Sequence, residues 1–177
     1  MTSVIKTDNI STVSGSGTLN VASGTTLYAP GHMIQYATAI STAVLDTQSS
    51  SYADLPGMTI TFTPKSTSSH LFITVTNHIF KQQAAGWQAA GVQVYRDGVV
   101  RMAEGSYGQS ANYNDSSTDR HMEYVTRHFF DAPNSTSALV YTVKGAKIQS
   151  AGDGVNMVFN NPSYGNGGRL TIMEIAQ

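Results

Sequence analysis

Residues 70–80 read HLFITVTNHIF. Leu71, Ile73, Val75 and Ile79 occupy one parity of this run, and Phe72, Thr74, Thr76, His78 and Phe80 occupy the other. A repeat of two is the signature of a pleated strand, whose successive side chains leave on opposite faces. The run therefore predicts a strand with Leu71, Ile73 and Val75 in the core. The same grammar recurs along the chain. MTITFTP alternates Met58, Ile60 and Phe62 with Thr59, Thr61 and Thr63, and stops at Pro64. MIQYATAISTAVL puts Ile34, Tyr36 and Ile40 on one parity, and RHMEYVTRHFF, ALVYTVKG, VNMVFN and RLTIMEIA read as further strands. VQVYRDGVVRM is a hairpin in which Asp97-Gly98 supplies the left-handed turn.

Between these runs lie stretches rich in turn residues. DTQSSSYADLPG and EGSYGQSANYNDSSTD read as loops, and Gly86 and Gly91 make a long helix over KQQAAGWQAAG unfavourable. About eight or nine short strands without a helix predict an all-β, jelly-roll-like antiparallel β-sandwich. An immunoglobulin-like sandwich is the alternative, but the chain has no cysteine and so no Cys…Trp…Cys pattern. A chain of 177 residues has enough length to bury a core without disulfide or metal staples.

Composition excludes several partners. Charged residues are only 12% and the net charge is −1, so no basic stripe exists to follow nucleic acid. No apolar stretch is long enough for a membrane helix, and residues near the start show no secretory signal pattern. These readings predict no membrane insertion, and assembly in the cytoplasm where the chain is made.

The chemistry-bearing residues do not assemble into a known catalytic pattern. His70 and His78 share parity but stand eight residues apart, roughly 25 Å at about 3.3 Å per residue. His121 and His128 have opposite parity, and neither an HxH nor an HExxH motif occurs, so no metal site is expected. GSGTLN at Gly15 lacks the rest of a dinucleotide fingerprint, and no Gly-x-Ser-x-Gly elbow is present. Asp97, Glu104, Asp115, Asp119, Glu123 and Asp131 fall mostly in turns or on polar faces, where acids are simply solvated. The expectation is a non-enzymatic protein without a cofactor. Trp87, Tyr107, Asn112 and Tyr113 fall in predicted loops and suit either a saccharide surface or a buried interface between chains.

Five stretches, in order, resemble small structural proteins of tailed-bacteriophage virions, of the tail-fibre and capsid-decoration type. They are SVIKTDNISTVSGSGTLNV, APGHMIQ, LPGMTITFTPKSTSSHLFITV, DAPNSTSALVYTVK and RLTIMEIAQ. They span nearly the whole chain, and residues 77–127 match least. The resemblance implies a virion component, usually trimeric, with a jelly-roll head behind an extended N-terminal attachment segment. It implies other virion proteins as partners and no catalytic residues. A capsid knob, a short tail appendage and a tail-fibre protein that binds a host-surface glycan all remain compatible with it.

The N-terminal residues 1–31 fit the attachment segment. Their apolar side chains, Val4, Ile5, Ile10, Val13, Leu19, Val21 and Leu27, are too sparse to offset an ordering cost of about 1–2 kcal/mol per residue within one chain. Fully extended, the segment reaches about 100 Å at roughly 3.3 Å per residue. The expectation is an attachment and trimerisation arm over 1–31 and a head over 32–177.

Overall fold

The computed structural model describes residues 29–41, 43–81, 86–103, 108, 110–114, 121–150, 156–161, 163 and 167–177. These form eleven strands and no α-helix: β1 (Met33–Ile40), β2 (Leu45–Thr47), β3 (Ala53–Phe62), β4 (His70–Lys81), β5 (Gly86–Arg96), β6 (Val99–Met102), β7 (Ser110–Asn114), β8 (His121–Asp131), β9 (Leu139–Ser150), β10 (Met157–Phe159) and β11 (Arg169–Ile175). The expected arm residues Val4, Ile5, Ile10, Val13, Leu19, Val21 and Leu27 lie outside the described residues.

The first sheet runs β1-β11-β4-β10-β2, with β8 on the other side of β4; the second runs β3-β9-β5-β6, with β7 also on β5. Every pairing is antiparallel. The two sheets face each other as a sandwich with the expected jelly-roll-like character. Their inner faces make one core, and the parity of β4 carries through: Leu71, Ile73 and Ile79 are 0% exposed and Val75 1%. They meet Leu170 and Ile172 of β11, Met58 and Ile60 of β3, Val92 and Val94 of β5, and Tyr141 and Val143 of β9.

β4 is longer than either partner on its β11 side, so two strands share that edge. β11 pairs with His70–Thr76, and β10 takes over at Ile79–Lys81. Asn160 fills the gap. Its backbone NH donates to the His78 carbonyl at 2.8 Å, its Oδ1 accepts from the His78 NH at 3.1 Å, and its Nδ2 donates to Asn77 Oδ1 at 3.2 Å. A left-handed backbone at φ 57 lets it turn there, a conformation that asparagine tolerates better than most residues.

The loops expected at 46–57 and 104–119 are partly strand. β2 and β7 are present, and β3 begins at Ala53, with a register shift absorbing Pro56 and Gly57. β5 begins at Gly86, so residues 86–91 of KQQAAGWQAAG are paired strand, while residues 82–85 lie outside the described residues. Its Ala89, Ala90 and Gly91 carry little strand propensity. Gly91 serves because the site is tight: a Cβ there would meet the Tyr52 hydroxyl and the Ile148 side chain. The Asp97-Gly98 hairpin is as expected, with φ of 50 and 80. Asp97 also bonds β9, its NH donating to the Val140 carbonyl and its Oδ1 accepting the Val140 NH.

Candidate interaction surface

β1, β11, β4 and β8 each keep one parity in the core and so turn the other outward. Register then sets these outer residues into rows. Tyr36, Met173, Phe72 and Phe130 stand side by side across four strands. The next row is Thr38, Thr171, Thr74 and His128, followed by Ile40, Arg169, Thr76 and Thr126. Beyond these, His78 pairs with Tyr124 and Phe80 with Met122, but here the β4 side chains are buried while those of β8 are exposed.

Rings and hydroxyls pair across the strands. The Phe72 ring centroid lies 5.0 Å from that of Phe130 and 5.7 Å from that of His128, and His78 lies 5.1 Å from Tyr124. Thr76 and Thr126 hydroxyls are 3.1 Å apart, and those of Thr38 and Thr171 3.4 Å. Such cross-strand pairs contribute about 0.2–1 kcal/mol each. Much of the apolar surface nevertheless stays open: Tyr36 and Phe130 are 66% exposed, Tyr124 59%, Met122 54% and Ile40 47%. Arg169 is the one fixed charge among the described outward residues of these four strands.

A second aromatic site lies on the other sheet. Trp87 of β5 and Tyr113 of β7 are direct register partners, with ring centroids 5.8 Å apart at 73°. Both are expected in loops; the structure places both on paired strands, because β5 extends back to Gly86. Asn112 is also on a strand and pairs in register with Gln88, while Tyr107 lies outside the described residues. The structure thus brings two of the four predicted aromatic-site residues together as an edge-to-face pair.

A buried charge cluster carries no sequence signal of its own. Asp131, expected as a solvated turn acid, is 2% exposed at the end of β8. Its carboxylate accepts from Arg96 Nη1 at 2.9 and 2.8 Å, from Arg101 Nη2 at 2.8 Å and Nε at 3.2 Å, and from the Tyr141 hydroxyl at 2.7 Å. Arg96, Arg101 and Tyr141 belong to the second sheet, so the carboxylate clamps the sandwich together at this edge. Burial pushes the Tyr141 hydroxyl pKa up, and its bond to Asp131 adds to the effect. Burial opposes the Arg96 charge, but Asp131 and Tyr141 together outweigh it and raise the guanidinium's pKa.

At the other end of β8, Lys81 is 0% exposed and donates to Glu123 at 2.9 Å. Burial lowers the Lys81 pKa, with Glu123 partly offsetting it. His78 is only 1% exposed, and burial lowers its pKa. Among the described residues no group of three or more His, Cys, Asp and Glu side chains is placed to hold a metal ion. No described helix is long and apolar enough to cross a membrane.

No protein-family model matches the chain, and no curated protein matches it. Among solved structures, the VP2 protein of infectious bursal disease virus in T=1 particles is 12% identical over 91% of this chain and 41% of its own, with a TM-score of 0.42. The T13 particle of the same virus gives 10% identity over 91% and 40%, with a TM-score of 0.44. Latent dimeric PorU of Porphyromonas gingivalis gives 13% over 85% and 14%, with a TM-score of 0.38. The chain spans about two-fifths of the length of the viral chains. Superpositions this loose assign no function.

Proposed function

We propose that this chain is a non-enzymatic structural protein of a virus particle, working as a homotrimer in contact with other virion proteins. The observation that carries this reading is the outer face of the first sheet. It is broad, aromatic and nearly uncharged, a surface that a protein acting alone has reason to bury. The neutral composition and the ordered resemblance to phage virion proteins support the same reading. Within it, the head sits on the particle as a capsid knob or short tail appendage, and residues 1–31 attach it. That arm brings Val4, Ile5, Ile10, Val13, Leu19, Val21 and Leu27 to a partner with only Lys6 and Asp8 as charges.

The test is incorporation. Particles assembled with tagged full-length chain should carry it after gradient purification, and particles assembled with a chain beginning at Ala29 should not. Equal occupancy by the truncated chain would overturn the role of the arm, and absence of the full-length chain from particles would overturn the structural role. The Trp87–Tyr113 pair favours a second reading, a tail-fibre protein that binds a host-surface glycan. An exposed edge-to-face pair of aromatic rings is a surface on which sugars settle. Binding to host polysaccharide that disappears in Trp87→Ala would establish it, and no binding by the wild type would remove it.

A further inference from the structure

The outer face of the first sheet has a definite occupant. We infer that it is a second copy of this chain, and that this face is where heads of neighbouring copies meet. The inference rests on the oligomeric reading above and makes this head contact, rather than the arm, what holds the copies together.

Area is the first argument. Tyr36, Phe130, Tyr124, Met122 and Ile40 together leave roughly 500–600 Å2 open, taking about 150–250 Å2 for each whole aromatic side chain. That is already at the upper end of the largest apolar patch on an ordinary monomer, about 300–600 Å2. The half-buried Phe72 and Met173 and the threonine rows adjoin it, which brings the surface close to the roughly 800 Å2 that each partner contributes to a stable interface.

Charge is the second. Arg169 is the one fixed charge among the described outward residues of this face, so a second copy, with a net charge of −1, meets little repulsion there. A strongly charged partner would lose hydration against this face and find no counter-charge there. The face also carries its own hydrogen-bonding groups in the threonine rows and His128, which a second copy matches.

The edge is the third. β8 is eleven residues long and, among the described strands, pairs only with β4. Met122, Tyr124 and Phe130 project from it. An edge strand with exposed apolar side chains on its outer face is a site where chains associate unless something covers it.

Two measurements on the full chain test the inference. Light scattering at micromolar concentration should give a multiple of the 18.9 kDa protomer mass. The double variant Tyr124→Glu, Phe130→Glu should fall toward that protomer mass with an unchanged far-ultraviolet circular dichroism spectrum. Trp87→Ala with Tyr113→Ala, on the other sheet, should keep the wild-type mass. The second measurement needs no variant: amide hydrogen exchange across β8 should speed up at least tenfold when the protein is diluted from micromolar to nanomolar. A monomeric wild type, a folded double-glutamate variant that keeps its mass, or β8 exchange indifferent to dilution would overturn the inference. Loss of particle incorporation with the oligomer intact would instead sink the virion reading and leave this interface standing.

Discussion

Asp131 shows how far a single side chain can lie from what its sequence context suggests. It opens the turn-rich run DAPNSTS, and nothing in that run hints at burial. Arg96 and Arg101 are 35 and 30 residues away and on the opposite sheet, so only the closed sandwich brings them to it. Removing the carboxylate would leave two guanidinium groups and a tyrosine hydroxyl without their acceptor. Breaking a buried ion pair costs about 3–5 kcal/mol. The Arg96 and Arg101 side chains keep 19% and 34% exposure, and water recovers part of that loss. Asp131→Ala should therefore cost about 2–3 kcal/mol in urea unfolding, against about 1 kcal/mol for Tyr141→Phe, which loses one hydrogen bond. Equal costs would mean that the carboxylate is not the clamp. Trp87 and Tyr113 were legible as a pair of interest but not as neighbours, because their contact is a matter of register between strands that sequence reads as loop.

Among the strands, legibility follows side-chain chemistry. β4 is readable because its core parity is filled by leucine, isoleucine and valine and its outer parity largely by threonine and aromatics. Ile73→Ala should cost about 2–5 kcal/mol, the usual loss for a large-to-alanine change in a packed core. A loss under 1 kcal/mol in chemical unfolding would contradict its position between the sheets. β5 is hidden because Ala89, Ala90 and Gly91 carry no strand preference; crowding from Tyr52 and Ile148 selects Gly91, and that crowding exists only after folding. Gly91→Val should consequently destabilise by about 1–3 kcal/mol through overpacking, although valine is the better strand former. A stabilised Gly91→Val protein, judged by its melting temperature, would show that propensity outweighs space at this position. β4 also supplies a pH dependence. Burial depresses the His78 pKa below its unfolded value of about 6.5. The unfolded chain binds the proton first, so this contribution is fully present above pH 6.5 and is lost as pH falls through the lower folded pKa. Melting curves from pH 7.5 to 4.5 should fall more steeply for wild type than for His78→Gln; parallel curves would exclude the histidine as the cause.

At the scale of the molecule, the described head closes its own core, and its first described residues are tied in by backbone bonds from Gly31 to Ala176 and from Ala176 to His32. A chain beginning at Ala29 should therefore unfold cooperatively, with a melting temperature within a few degrees of the full chain's; a broad, non-cooperative transition would show that residues 1–28 complete the head. The two-sheet architecture was legible from strand spacing, but the strand order was not, since alternation says which face is buried and nothing about which strand lies beside it. That order has a temporal meaning. β1 pairs with β11, from Met33 with Ile175 to Ile40 with Arg169, so the earliest described strand waits for the latest. Translation at about 5–20 residues per second separates their emergence from the ribosome by roughly ten to thirty seconds. Late in that interval, once β8 has been made, β4 has a partner on one side but still lacks β11 on the other, and its core-facing leucine and isoleucines have half a floor beneath them. The nascent chain thus spends most of its synthesis unable to shut the first sheet. A ribosome stalled before Arg169 should hold a protease-sensitive chain, whatever has already formed in the second sheet.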